Sequence, residues 1–132
     1  MTLELVTTHK KLKGDWQVTG SKSEANRLLI LQALFPQIEI ENLSNSDDTE
    51  VLQKALKSSE EEIDINHAGT AMRFSTAYFS IQEGRKTILT GSKRMQERPI
   101  KLLVDALKSL GADIEYQKEE GYPPLLIHGK KI

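Results

Sequence analysis

Apolar and polar positions alternate over Leu3-Glu4-Leu5-Val6-Thr7-Thr8 and over Asp15-Trp16-Gln17-Val18-Thr19. Both stretches are rich in residues that suit a pleated, half-buried surface, and with the polar run Lys10 to Gly14 between them they predict a hairpin. The period then changes. Leu28, Leu29, Ile30, Leu31, Ala33, Leu34 and Phe35 leave almost no polar face, which predicts a helix from about Ser23 to Phe35, stopped by Pro36 and buried on all sides. Ile38-Glu39-Ile40 reads as a short strand. Ser46 then caps a helix with Asp47 and Asp48 in its first turn and Val51, Leu52, Ala55 and Leu56 as its apolar stripe. Ile63-Asp64-Ile65 is the next strand, and Thr70 caps a helix that runs to about Ser80. Lys86 to Gly91 forms a strand and turn. Pro99 suits the first residue of a helix carrying Ile100, Leu103, Val104 and Leu107, with Gly111 just past its end. Ala112 to Tyr116 and Leu125 to His128 are the last strands, joined through the turn Gly121-Tyr122-Pro123-Pro124. The order β-β-α-β-α-β-α-β-α-β-β predicts an α/β (α+β) fold, a mixed sheet packed on helices.

Length and composition narrow the class. A chain of 132 residues has room for one core, and 38% hydrophobic with 28% charged residues reads as a globular chain. The net charge of −1 provides no basic field for nucleic acid. Aromatic content of 5% gives little to stack bases on. With no Cys and 3 scattered His, disulfides, thiolate chemistry and a structural metal all lack support. No apolar run approaches the roughly 18 residues of a membrane span, and no signal-peptide core is visible, so the expected place is the cytoplasm.

Three stretches carry the candidate chemistry. Gly20-Ser21-Lys22-Ser23 joins a small polar turn to the first helix, with Ser23 as its predicted cap. Lys22 and Arg27 set cations near the positive end of the helix dipole, where they cost stability but suit a phosphate that also meets free N–H groups. Ala68-Gly69-Thr70 followed by Arg73 repeats that arrangement, and Arg98 before Pro99 is its third instance. Three cationic helix mouths in a nearly neutral chain point to an anionic ligand with more than one charged group. Asp47-Asp48 reads either as helix capping or as a contact to that ligand. His67 reads as a loop histidine making one backbone bond, Lys93 as solvated charge, and Arg94 is open. The nucleotide-binding patterns fail: five residues separate Gly14 from Gly20, and Ser21 intervenes before Lys22, so no P-loop forms.

Gly20-Ser21-Lys22-Ser23 with Asn26-Arg27, Asn45-Ser46-Asp47-Asp48, Ala68-Gly69-Thr70-Ala71-Met72-Arg73, Arg94-Met95 with Glu97-Arg98-Pro99-Ile100, and Tyr122-Pro123-Pro124-Leu125 resemble, in order, the N-terminal part of the 5-enolpyruvylshikimate-3-phosphate (EPSP) synthase family. The resemblance implies transfer of the enolpyruvyl group of phosphoenolpyruvate to the 5-hydroxyl of shikimate 3-phosphate, on the route to chorismate and aromatic amino acids, with no metal or organic cofactor. It implies that Lys22, Ser23 and Arg27 hold shikimate 3-phosphate. Lys22, Gly69, Thr70 and Arg98 would hold phosphoenolpyruvate, with Lys22 as the catalytic residue between the two, and His67, Arg73 and Asp48 in support.

The family's chain is about three times longer, in two globules built from βαβαββ units with the site between them. The resemblance therefore implies a fragment, inactive alone. Residues 1–19 would be opening strands that pair with the second globule, and residues 20–132 an incomplete substrate-binding domain of about two such units. Its partners would be the two small molecules and the missing C-terminal part, with neither nucleic acid nor membrane. Three departures stand out: His67 where members commonly carry Asn, Phe74 where they often carry Pro, and a shortened stretch from Leu56 to Ile63, which implies loss of the first unit's antiparallel strand pair. Two other readings remain, a non-catalytic anion-binding module and an enolpyruvyl transferase acting on a UDP-sugar. The second typically has Lys-Asn in place of Lys22-Ser23 and a reactive Cys, which this chain lacks.

Overall fold

In the computed structural model, which describes residues 1–9, 11 and 13–132, the order is α1 (Lys22–Leu34), α2 (Asp47–Lys57), β1 (Glu62–Asp64), α3 (Gly69–Ser80), β2 (Lys86–Thr90), α4 (Lys93–Gln96), α5 (Lys101–Ser109), β3 (Asp113–Tyr116) and β4 (Leu125–His128). The sheet runs β1-β2-β4-β3, with β1 and β2 parallel and the other pairs antiparallel. From β1 to β4 the chain thus completes one β-α-β-α-β-β unit, with the short α4 ahead of its second helix; α1 and α2 precede it without strands of their own. Among the described residues no strand lies between α2 and β1, as the short stretch from Leu56 to Ile63 implies.

Register explains which sheet face is covered. Ile63 pairs with Leu89, Leu89 with Leu125, Thr87 with Ile127, and Ile127 with Ile114, and all of these are buried. Period-two alternation brings them onto one face. That face packs on α3, whose Met72 and Phe79 are buried, and Val104 of α5 closes the same core. α2 fits its expected pattern: Ser46 Oγ accepts from the Thr49 N–H, and Leu52 and Ala55 are buried.

Three expected strands do not form. Residues 1–9, 11 and 13–19 are neither helical nor paired, and Leu3, Leu5, Val6, Trp16 and Val18 are exposed. Lys10 and Leu12, in the turn expected between those strands, lie outside the described residues. Ile38-Glu39-Ile40 is also unpaired; its backbone is engaged instead by Gln32, whose Nε2 donates to the Ile38 carbonyl at 2.8 Å. Alternation suits a residue to a ladder but supplies no partner, and an isolated pair of strands is marginal in water.

Helix α1 begins one residue earlier than expected, and Ser21, not Ser23, occupies its cap position, without a side-chain capping bond. It is also not buried all round. Ala25, Asn26 and Leu29 are buried, whereas Leu31, Leu34 and the following Phe35 are 43%, 39% and 50% exposed. α1 packs on α2 along one side only, and its outer side borders an open apolar groove of about 450 Å³ with Phe74, Tyr78 and Ile81 of the α3 region. At the other end, Pro99 is not the first residue of α5. Ser92 caps the extra turn α4 instead, accepting from the Met95 N–H, and Ile100 holds the cap position of α5.

A buried hydrogen-bond chain ties α1 to α2. Thr49 Oγ1 donates to Asn26 Oδ1 at 2.8 Å and lies 2.9 Å from Ser46 Oγ, with Asn26 and Thr49 both fully buried. Thr49→Val keeps the shape but strips Asn26 Oδ1 of its donor. A buried acceptor left unpaired costs about 1–3 kcal/mol. Urea unfolding should show that loss as a lower midpoint at unchanged slope; an unchanged midpoint would remove the chain's structural role.

Candidate functional site

The candidate residues gather because three helices start at one end of the molecule. Lys22, first in α1, lies beside Asp48 in the first turn of α2, Nζ to Oδ2 3.9 Å. The Asn26–Thr49 bond fixes the same pair of helix starts. The first turn of α2 and the loop before α3 then face a shared small cavity lined by Asp47, Glu50, Lys54, Asn66, His67 and Ala68. That end coincides with the C-terminal ends of the parallel strands β1 and β2, where α/β sheets commonly hold ligands.

How α3 is aimed follows from the turn before it. The Asn66 N–H donates to Asp64 Oδ1 at 2.6 Å, and Asn66 adopts φ 52°, a left-handed conformation that Asn tolerates better than most residues. The Asn66 carbonyl in turn accepts from the Ser92 N–H at 2.9 Å, which draws the segment after β2 against the one after β1. Gly91 permits the approach: a Cβ there would stand 2.6 Å from the Asn66 carbonyl oxygen.

The capping pattern separates the helices. α2 and α4 satisfy a first-turn N–H with Ser46 and Ser92. α1, α3 and α5 have no side-chain cap, and α3 and α5 have no acidic residue in the first turn; of these, α1 and α3 start where the candidate residues gather. Their orphan N–H groups and positive dipole ends remain available to an anion. The expected cap Thr70 is the second residue of α3, and Ala68 holds the cap position.

Arg98 completes the α3 half of the site. It follows α4 directly, and its backbone N–H donates to the Met95 carbonyl at 3.0 Å. Its guanidinium lies against Gly69: a Cβ built there would stand 2.8 Å from Arg98 Cζ and 2.9 Å from Nη2. Only a residue without a side chain lets a cation sit this close to the start of α3. Arg98 also lines a cavity of about 690 Å³ with His67, Ser92, Arg94 and Met95. Arg94 therefore joins the site. The i, i+4 spacing to Arg98 is the sequence signal for it, but the irregular backbone at Glu97 to Ile100 hides which way that pair faces.

Other cations are engaged internally. Arg73 Nη1 donates to the Gly69 carbonyl at 3.1 Å and Nη2 to the Pro99 carbonyl at 3.3 Å, pinning α3 to the Arg98 segment. Arg27 Nη1 donates to the Ser23 carbonyl at 2.8 Å, so its guanidinium folds over the first turn of α1 and is exposed there. The structure thus forms two clusters. Lys22, Ser23 and Arg27 sit on α1, with Asp48 beside Lys22; His67, Gly69, Thr70, Arg73, Arg94 and Arg98 surround the start of α3. α2 bridges them.

A hydrogen bond from Lys101 holds the Glu120 carboxyl below its ordinary range, and burial pushes the Tyr116 phenol up. Among the described residues no helix is long and apolar enough to cross a membrane.

Comparison with known proteins gives a consistent result. The family model described as EPSP synthase (3-phosphoshikimate 1-carboxyvinyltransferase) matches residues 52–132. A 3-phosphoshikimate 1-carboxyvinyltransferase of Bacteroides fragilis is 50% identical over 129 residues, covering 97% of this chain and 31% of that protein. One from Tolumonas auensis is 38% identical over 159 aligned positions, covering 100% of this chain and 36% of that protein. The EPSP synthase structure from Acinetobacter baumannii shares the fold at TM-score 0.72 and 21% identity, over 88% of this chain and 32% of that one. The chain spans about a third of the length of the curated relatives it matches. It belongs to the EPSP synthase (3-phosphoshikimate 1-carboxyvinyltransferase) family.

Proposed function

We propose that this chain supplies part of an enolpyruvyl transfer site, with the start of α1 holding shikimate 3-phosphate and the start of α3 holding phosphoenolpyruvate. The observation that carries this reading is the Arg98 guanidinium laid against Gly69 at the uncapped start of α3, open to the 690 Å³ cavity. Two polyanionic substrates need several fixed donors, and that arrangement offers backbone N–H groups, a dipole end and guanidinium cations together.

In the reaction so assigned, the enol carbon of phosphoenolpyruvate is protonated and the 5-hydroxyl oxygen of shikimate 3-phosphate bonds to C2. The hydroxyl proton is lost, giving a tetrahedral adduct. The C2–O bond to phosphate then breaks, a methyl proton leaves, and inorganic phosphate departs. On this reading Ser23 and Arg27 bind the shikimate phosphate, and Gly69, Thr70 and Arg98 bind the phosphoenolpyruvate phosphate. Lys22 stands between them and steadies charge that develops on the adduct. Asp48 orients Lys22; as a long, partly exposed pair it holds Lys22 weakly enough to release it to substrate. Arg73 acts as a brace between α3 and the Arg98 segment.

Residues 20–132 are then part of the substrate-binding domain, and residues 1–19, of which Leu3, Leu5, Val6, Trp16 and Val18 are exposed, pair with the second globule. Turnover requires groups from the remaining two thirds of the relatives' length, so the 132 residues should bind without catalysing. Calorimetric titration with shikimate 3-phosphate tests the α1 half. Losing one charge-assisted contact in Arg27→Ala should weaken binding about tenfold or more. Equal affinity in Arg27→Ala and the parent chain would reject the assignment, and phosphate release by the 132 residues alone would reject the division of labour.

A further inference from the structure

We infer that His67 is a third, proton-dependent donor of the Arg98 half-site, so that an anion bound there is taken up with a proton. The inference rests on reading the 690 Å³ cavity as an anion site.

His67 lies on the wall between two cavities of opposite character. On one side are Arg94 and Arg98, with Ser92 and Met95, around the larger cavity. On the other are Asp47, Glu50 and Lys54 of α2, around a cavity of about 140 Å³. Asp64 caps the same turn through the Asn66 N–H. These are the charged groups lining the two cavities and the turn before α3. The site's two guanidinium groups are also set apart from the chain's other arginines. None of the four ion pairs formed among the described residues involves His67, Arg94 or Arg98. The guanidinium groups of Arg27, Arg73 and Arg85, by contrast, donate to backbone carbonyls.

The chemistry of imidazole does the rest. A neutral ring has one N–H donor and one acceptor nitrogen, whereas a protonated ring donates from both. A ring on the wall of both cavities can donate into both at once only when it is protonated. A phosphate or carboxylate placed against the guanidinium groups offsets their repulsion and gives the imidazolium a partner. Binding therefore favours protonation, and by reciprocity protonation favours binding. Histidine is the side-chain type suited to such coupling near neutral pH. An amide at this position would donate equally at every pH.

The test uses the full chain with phosphoenolpyruvate as probe. The ring signals of His67 are followed by NMR between about pH 5 and 8, free and bound, with His9 and His128 as internal references. Affinity is measured by calorimetry at both ends of that range for the parent chain and His67→Asn. The His67 titration midpoint should move upward on binding while those of His9 and His128 stay. The parent's affinity should fall with rising pH about threefold more than that of His67→Asn. The His67→Asn comparison removes the phosphate's own titration, which both proteins share. An unmoved His67 midpoint, or identical pH dependence in the two proteins, overturns the inference and leaves the anion site standing. No binding by the parent chain at any pH overturns both.

Discussion

Replacing Arg98 with alanine is expected to weaken phosphoenolpyruvate binding by about 10- to 100-fold while leaving the fold intact. A hydrogen bond to a charged group contributes about 1.5–3 kcal/mol, and each 1.4 kcal/mol is tenfold in affinity. Arg98 is placed to deliver the upper part of that range, because its guanidinium lies over Gly69, where the first N–H groups of α3 are uncapped. Both sets of donors then converge on one anion. The fold should not notice, since Arg98 is exposed and its side chain enters none of the ion pairs among the described residues. Calorimetric titration of the two proteins measures the difference. Affinity within a factor of two would show that Arg98 does not touch the ligand. Gly69→Ala is the companion variant: a methyl group there displaces the same guanidinium, so it should weaken binding in the same direction.

The largest stability effect is expected at Phe79. Its side chain is fully buried in α3, the Arg85 guanidinium carbon stands 4.5 Å from its ring centre, and the Tyr78 ring meets it edge-on at 5.2 Å. Gly129 packs against the backbone beneath it: a Cβ there would stand 2.8 Å from the Phe79 carbonyl oxygen. The surroundings therefore have little room to collapse into a cavity. Phe→Ala in such a place costs about 3–5 kcal/mol. Domains of this size have roughly 5–15 kcal/mol in total. At about 3 °C per kcal/mol, Phe79→Ala should lower the thermal midpoint by roughly 10 °C or more. A loss under 3 °C would mean the site repacks, contrary to the geometry.

The sequence disclosed those elements whose signals are local. α2 is one: a Ser46 cap, two acids behind it and an apolar stripe at helical spacing all agree, and each acts within a few residues. β4 and the Gly111 stop, φ 106°, were legible for the same reason. What failed were inferences about partners. Leu3-Glu4-Leu5 and Ile38-Glu39-Ile40 alternate like strands, but a ladder needs a neighbour that alternation cannot name. The apolar girth of α1 likewise says that the helix wants cover on every side, not that cover exists on every side. Pro99 is competent to begin a helix; Ser92 captured the preceding turn first and moved the start of α5 to Lys101.

The candidate site divides along the same line. Lys22 and Gly69 were singled out because each sets a cation or a small residue at a helix start; Arg98 was singled out by a helix start expected at Pro99, which the structure moves to Lys101. That Gly69 and Arg98 touch, and that Arg94 faces the same cavity as His67, depends on the Asn66–Ser92 bond across the ends of β1 and β2. Nothing within either segment encodes that distance. The two clusters are joined by Lys22–Asp48 and Asn26–Thr49, contacts between residues 26 and 23 positions apart, which only the packed helices reveal.

The central claim is that two anions bind two separate helix starts. Amide NMR of the chain, titrated first with shikimate 3-phosphate and then with phosphoenolpyruvate, tests it most directly. The first ligand should move the amides of residues 21–25, and the second those of residues 69–73 together with the Arg98 side-chain N–H. Perturbations confined to the apolar groove between α1 and α3, or none at saturating ligand, would contradict the account.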